Sequence, residues 1–469
     1  MNVRRAKIIC TIGPASCSKN VLFSLMQEGM DVARMNFSHG THAFHRQVVR
    51  TVREGIKKFG RPVSIMQDLQ GIKIRVGLIK DGAAELRKGN KVLVYPGHGL
   101  GDDRSLFVSY PLLLRDAARG DKILLDDGLI QLTVTGKTDK ALITQVVEGG
   151  IIKDRKGVNL PGMQISQRSF TDKDRADLEL GLQMKVDYVA ISFVRTAHDV
   201  SVVKAWMKRR GCQIPIIAKI EKPEALVNID AILDEAAGIM IARGDLGVEV
   251  MPEEVPIIQK GLIEKANKKG KIVITATQML ESMKEHLRPT RAEATDVANA
   301  VLDGTDAVML SAETASGAHP REAINMMDNI VRFTESAGRI QSVYERGDSY
   351  ADALADAACR AAEDIRAKVL VAFTESGFTA RLLSKFRPGV PIIAFTPDRS
   401  VIARLPFFWG VTPLYMKPFN NLDQMLGTIE MTLLSEKIVR KNDRIVIIAC
   451  SPLPTQAKTN FMKLHEIGG

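Results

Sequence analysis

The chain has 469 residues, 45% of them apolar and 25% charged, an ordinary make-up for a globular protein that is too long for one hydrophobic core. Lysine and arginine (65) outnumber aspartate and glutamate (54) for a formal net charge of +11, yet the cations are spread along the chain and aromatics reach only 5%, which argues against a nucleic-acid surface and leaves anionic small molecules as partners. No apolar run approaches the roughly 20 residues of a membrane span, and Cys10, Cys17, Cys212, Cys359 and Cys450 show no paired spacing, so no membrane association and a reducing, cytoplasmic setting are expected.

In chain order, KIICTIG (7–13) predicts a strand, and Ser18 caps a helix carrying Leu22, Leu25 and Met26 that Gly29 stops. DVARMNF (31–37) is the next strand, followed by a helix with Phe44, Val48, Val52 and Ile56 at four-residue spacing and Gly60 at its end. SIMQDLQG (64–71) is the third strand. From about Ile74 to about Leu160 the pattern switches to period two, with turn signals at Asp126-Asp127-Gly128 and Gly149-Gly150, which predicts an inserted β domain. The strand–helix rhythm resumes with VDYVAISFV (186–194), PIIAKIE (215–221), GIMIARGD (238–245), KIVITATQ (271–278) and DAVMLSAET (306–314), and Thr290 with Glu293 forms a capping box. Three strands before the insertion and five after it predict a closed (β/α)₈ barrel of the TIM type. Beyond an apolar helix near 320–340, VLVAFT, PIIAFTP, VTPLYM and RIVIIAC predict a separate C-terminal α/β domain. The expected division is 1–72 and 162–342 for the barrel, 73–161 for a small β-barrel lid and 343–469 for the C-terminal domain.

Barrel active sites lie at the C-terminal ends of the strands, so the last residues of each strand are diagnostic. They are Asn36, Ser38 and His39; Asp68 and Gln70; Ser192; Lys219 and Glu221; Arg243 and Asp245; Thr277 and Gln278; Ser311 and Glu313. A purely structural barrel has no need for so many polar ends. Glu221 and Asp245, on adjacent strands, present hard oxygen donors with no histidine or cysteine nearby, which favours Mg²⁺ or Mn²⁺ over Zn²⁺. Lys219 precedes Glu221 by two residues and shares its face, where an ammonium can neutralise a transferring phosphoryl group; Arg34 adds a fork for phosphate oxygens. This set describes phosphoryl transfer or enolate stabilisation; the bland alternative is a ring of barrel-mouth salt bridges.

The stretches VARMNFSHGTH, DLQGIKIRVG, LLDDGLI, KGVNLPG, AISFVR, AKIEKPEA, IARGDLGVE, TATQMLESM and PTRAEATDVANAVLDGTDAVMLSAETASG follow one another in an order and spacing that closely resembles the pyruvate kinases, over almost the whole chain. The resemblance implies transfer of a phosphoryl group from phosphoenolpyruvate to ADP, giving ATP and pyruvate, the last step of glycolysis, in a homotetramer. It implies that Glu221 and Asp245 hold Mg²⁺ (or Mn²⁺), that Lys219 stabilises the phosphoryl group, and that Arg34 binds phosphate. Gly244, Asp245 and Thr277, with Ser192 and Lys219, complete the substrate set, and Ser311 with Thr277 lies in the proton-delivery network. His39, Arg75, Lys156 and Asn36 match nucleotide-contacting positions, and Asp127 matches a lid residue that closes over the site and excludes water.

One departure concerns potassium. K⁺-dependent relatives carry Thr-Lys after the aspartate and a Glu three residues beyond that pair; here Asp68 is followed by Leu69 and Gln70, and Lys73 stands at the glutamate's place, so K⁺ is expected to be dispensable although Asn36, Ser38, Asp68 and Leu69 of a monovalent-cation site remain. The alternative is that Lys73 merely pairs with a neighbouring acid. Ile72, where the family usually shows proline, is expected to loosen the hinge into the lid. In the C-terminal domain FTESGFTARLL (373–383) reads as strand, hydroxyl-rich turn and helix start, presenting Thr374, Ser376, Gly377 and Thr379 with free backbone amides to a phosphorylated effector, the alternative being an ordinary helix cap. Glu375 would repel a second phosphate there, and SPLPTQAKTN (451–460) lacks the glycines often seen in the companion loop; no appended phosphotransfer domain is expected after it. Two rivals compete: a lyase on a metal-bearing barrel, which would not need the lid, Arg75 or Lys156, and a non-catalytic effector-binding protein, which would be expected to have lost Lys219, Glu221 or Asp245.

Overall fold

Eight short parallel strands close into a barrel in the computed structural model, which describes residues 4–163, 165–338, 340–419, 421–450 and 459–468. In chain order the strands are Lys7–Thr11, Val32–Asn36, Ser64–Asp68, Tyr188–Ile191, Ile216–Ile220, Gly238–Ala242, Ile272–Ala276 and Ala307–Leu310, and the last pairs with the first (Lys7 opposite Ala307). The strands are buried on both faces along nearly their whole length, one face against the surrounding helices and one against the barrel interior, with their polar residues such as Arg34, Asp68 and Lys219 towards the C-terminal ends. The helices begin where local chemistry says they should: Ser18 and Thr41 accept the N–H of Val21 and Phe44, Gly60 ends its helix at φ +66°, and Thr290 with Glu293 forms the expected capping box.

The strands stop earlier than their apolar runs suggest. Arg243 and Asp245 are not the end of a strand but the first turn of a short rim helix, Arg243–Glu249, and Ser311 and Glu313 likewise lie at the start of Ala312–Ala315. Thr277 and Gln278 turn out of the seventh strand with φ of +66° and +53°. Sequence periodicity cannot register such a switch, because a polar residue directly after an apolar run reads equally well as a strand end and as a first helical turn.

Between the third and fourth strands the chain builds a six-stranded sheet in the order Val158–Asn159, Lys122–Leu125, Ile130–Lys137, Leu142–Glu148, Lys91–Pro96 and Ser105–Val108. Two short ribbons, Gly150–Lys153 with Ala83–Leu86 and Leu78–Ile79 with Leu100–Gly101, lend Ile152, Leu86 and Ile79 to the same apolar core. The C-terminal sheet runs Val411–Tyr415, Ile392–Thr396, Val369–Phe373, Arg444–Ala449 and Phe461–Glu466; the last, antiparallel strand was not legible in the sequence. This domain docks under the N-terminal end of the barrel, where Lys7 Nζ donates to Val411 O (2.8 Å), Tyr188 Oη to Arg404 O (3.1 Å), and Lys385 Nζ to Asp306 Oδ2 (2.6 Å). The opposite rim faces the inserted sheet. Among the described residues no helix is long and apolar enough to cross a membrane.

Candidate active site

Strand alternation places Lys219 and Glu221 on one side of the fifth strand's end, and the Lys219 ammonium lies 2.9 Å from Glu221 Oε1. The same ammonium donates to Ser192 Oγ (2.7 Å) on the fourth strand's exit and sits 3.4 Å from Asp68 Oδ1 on the third. Asp68 Oδ2 in turn accepts from Arg34 Nε (2.7 Å), while Arg34 Nη1 donates to Thr11 Oγ1 (2.8 Å). Five neighbouring strands thus contribute to one connected array of two cations and two carboxylates. Asp68 and Glu221 are almost completely buried, at 1% exposure, so these contacts act with little solvent screening.

Burial alone would discharge Lys219, but Asp68 and Glu221 outweigh it and, with Asp245 adding, raise its pKa above the ordinary lysine value. For Glu221 burial comes first and raises the pKa, Asp245 pushes the same way, and Lys219 and the Phe193 N–H (2.7 Å to Oε2) oppose them. Glu221 thus feels the exposed carboxylate of Asp245 on the next element as well as its ion pair with Lys219. Among the described residues no three His, Cys, Asp or Glu side chains converge as a metal cage; Glu221 and Asp245 are carboxylates whose hard oxygens could hold a divalent ion such as Mg²⁺ or Mn²⁺.

Asp245 is exposed on the rim helix and, with Gly244 and Asp127, lines a cavity of about 600 Å³. A β-branched residue at positive φ is costly, and Thr277 is braced there from several directions. Its Oγ1 accepts the Gly244 N–H (2.8 Å), its carbonyl accepts Arg243 Nη2 (2.6 Å), and Arg243 Nη1 pairs with Asp296 (2.6 Å). Arg243, which sequence reasoning left without a role, therefore holds the turn that shapes the site. Ser311 Oγ is buried without a hydrogen-bond partner, while the Ser311 N–H donates to Glu313 Oε2 (2.6 Å). Burial raises the pKa of Glu313, whose Oε1 also accepts the Leu280 N–H (3.1 Å).

On the lid side, Lys73 and Asp127 line a cleft of about 140 Å³ together with Asp245, Gly157 and Asn159. The backbone of Arg75 bridges to Gly157, and Lys156 pairs with Asp126 (2.9 Å). His39 is exposed on the rim, and its pKa is lowered first by partial burial and then by Lys73, Arg75 and Arg34. Asn36 Oδ1 accepts the Ser38 N–H (3.0 Å), and the Leu69 carbonyl accepts Ser192 Oγ (2.8 Å). Lys73 is exposed; surrounding protein, then Arg75 and Lys219, lower its pKa against the pull of Asp245 and Asp127.

The candidate effector loop lies in the C-terminal domain, away from this array. Its amides are not all free, contrary to expectation. The Gly377 N–H is taken by Thr374 Oγ1 (2.9 Å) and the Phe378 N–H by Ser376 Oγ (3.4 Å), because short hydroxyl side chains bond backbone N–H groups two or three residues on. Thr379 Oγ1 hydrogen-bonds Thr459 Oγ1 (2.7 Å), and residues 451–458 of the companion loop lie outside the described residues.

The family model described as pyruvate kinase, barrel domain, matches residues 3–324, and that described as pyruvate kinase, alpha/beta domain, matches 352–465. A pyruvate kinase of Geobacillus stearothermophilus is 44% identical over 472 residues, covering 99% of this chain and 80% of the relative. One of Corynebacterium efficiens is 43% identical over 465 residues, covering 99% and 98%. The crystal structure of a pyruvate kinase from Cryptosporidium parvum superposes with a TM-score of 0.93 at 37% identity, covering 99% of this chain and 96% of that one.

Proposed function

The chain belongs to the pyruvate kinase family and is an enzyme of that kind, and on that premise we propose how its own residues move the phosphoryl group of phosphoenolpyruvate to ADP. The observation that carries the assignment is the Arg34–Asp68–Lys219–Glu221 array with Asp245 beside it. Asp68 holds Arg34 and Lys219 in place before substrate arrives, so both cations meet the charge of the transferring group without reorganising. Glu221 and Asp245 would hold Mg²⁺ or Mn²⁺, whose chemistry there is to offset negative charge on the phosphoryl oxygens. Gly244, Asp245 and Thr277 position the substrate carboxylate, with Ser192 keeping the Lys219 ammonium aimed at the site. The unpartnered hydroxyl of Ser311 fits the proton-delivery network of the product enolate, with Thr277 nearby in the same rim. His39, Arg75, Lys156 and Asn36 serve the nucleotide, and Asp127 belongs to a lid that keeps water from competing with ADP. A coupled assay with phosphoenolpyruvate, ADP and Mg²⁺ tests the assignment, and dependence on ADP separates it from a lyase.

The pattern around Lys73 supports independence from potassium. Its ammonium faces Asp245 and Asp127 and can supply from within the chain the charge that K⁺ would bring to the site of Asn36, Ser38, Asp68 and the Leu69 carbonyl. At constant ionic strength, replacing tetramethylammonium by K⁺ is expected to change kcat by less than about twofold, whereas activation above about tenfold would contradict this reading. For regulation, the loop of Thr374, Ser376, Gly377 and Thr379 is the place we assign to a phosphorylated effector, on the support of its hydroxyls at a helix start. For a homotetramer, exposed Phe333 on the helix Pro320–Ala337 and Leu464 on the edge strand are the apolar surface such an assembly would cover.

A further inference from the structure

The lid touches the barrel at the rim helix Arg243–Glu249, and it does so through a buried charge pair that the chemistry above leaves unused. Glu249, the last residue of that helix, is 8% exposed, and its Oε1 pairs with Lys222 Nζ at 2.6 Å. Lys222 directly follows Glu221, while Gly244 and Asp245 stand in the first turn of the helix that Glu249 ends. The pair therefore ties together the two elements that present the metal-binding carboxylates. A third group arrives from the lid: Asn159 Nδ2 donates to the same Glu249 Oε1 at 3.0 Å. Asn159 lies on the lid's edge strand, which pairs with Lys122–Leu125 and so runs beside the turn that bears Asp127. That turn also approaches the helix, since a methyl group on Gly128 would sit 3.7 Å from Val248 Cγ1.

Stability is a poor explanation for such a trio. Buried ion pairs are often no better than apolar side chains of similar size, and here Glu249 Oε2 is buried with no hydrogen-bond partner at all. A carboxylate kept in that position at that cost is better explained by what it connects. We propose that Asn159, Glu249 and Lys222 form a latch through which closure of the lid sets the position of the rim helix, and with it Asp245 relative to Glu221. These are positioning residues, and the inference rests on the phosphoryl-transfer reading above.

Amide exchange reads the latch without any assay of turnover. Asn159→Asp, which sets a second carboxylate against Glu249, should speed exchange in the rim helix 243–249 as well as in the lid edge strand, and unchanged exchange in the rim helix would overturn the proposal. In kinetics, Asn159→Ala should raise the KM for ADP about 5- to 10-fold with kcat within about twofold, because the closed state that binds nucleotide is less populated. Asn159→Asp should raise it further, and the thermal midpoint of Asn159→Ala should stay within about 2 °C because a half-buried hydrogen bond is lost and no core is opened. Since both arms act through one oxygen, the effect of Asn159→Ala should shrink to below about twofold in a Lys222→Met background. Wild-type KM in both Asn159 variants, or an undiminished effect beside Lys222→Met, would show that the trio positions nothing. Failure of the functional reading looks different: the wild-type enzyme itself would then not convert phosphoenolpyruvate and ADP.

Discussion

Lys219→Met is expected to lower kcat for phosphoryl transfer to ADP by on the order of 10³-fold or more, the cost of removing a preorganised charge from a water-excluded site. The geometry makes this a test of chemistry. Lys219 lies within 3.4 Å of both Asp68 and Glu221, and these acids hold its pKa above the ordinary lysine value, so the ammonium is charged throughout the working pH range. A folded-state pKa above the unfolded one also means that its contribution to stability is complete below the unfolded lysine value of about 10.4 and is lost only as pH rises through the folded value. No other cation can take over easily, because Arg34 is committed to Asp68 and Thr11. Metal binding and the thermal midpoint, measured on the same variant, separate loss of catalysis from loss of fold. A drop below about tenfold in kcat would mean that Lys219 does not meet the transferring group.

Asp306→Asn is expected to destabilise the protein by about 3–5 kcal/mol, the largest effect on stability that the structure implies. Asp306 is fully buried under the barrel, accepts a hydrogen bond from Lys385 Nζ at 2.6 Å and forms an ion pair with Arg387 Nη1 at 2.9 Å, both cations from the C-terminal domain and no more than 2% exposed. Burial alone would raise the Asp306 pKa, but Lys385 and Arg387 outweigh it and lower the pKa, so the carboxylate is charged and holds two buried cations across a domain boundary. Neutralising it leaves those buried cations with only neutral acceptors, Asn267 Oδ1 and the carbonyls of Lys271 and Gly304, and no counter-charge. The asparagine keeps the shape, so the loss reports charge and not packing. Urea unfolding followed by fluorescence measures it. A change below about 1 kcal/mol would show that water or relaxation satisfies the cations.

Much of the barrel was legible because its signals are local. Parallel strands buried on both faces must be continuous apolar runs, and caps such as Ser18 and the Thr290–Glu293 box depend on residues three apart. Part of the array at the rim was legible for a related reason: Lys219 and Glu221 share a face by strand alternation alone, whereas Asp68, expected only at a strand end and in a monovalent-cation site, pairs with both Arg34 and Lys219. What escaped the sequence is what depends on three-dimensional neighbours. Arg243 looked like a charge at a strand end, and only the left-handed turn at Thr277 gives it work as a brace. Glu249 and Asn159 are 90 positions apart, and no periodicity joins them. The edge strand Phe461–Glu466 mixes Lys463, His465 and Glu466 with its apolar residues, and it is recruited by hydrogen bonds to Arg444–Ala449. In the loop 374–379, composition announced hydroxyls and amides but could not show that the two would satisfy one another.

Manganese titration followed by electron paramagnetic resonance, on the wild type, Glu221→Gln and Asp245→Asn, addresses the metal site without reference to turnover. If both carboxylates hold the divalent ion at one rim, each substitution should weaken Mn²⁺ binding by about 10- to 100-fold, and the double variant should bind none at millimolar metal. Wild-type affinity in both single variants would place the ion elsewhere and leave the array at the barrel mouth as a set of salt bridges.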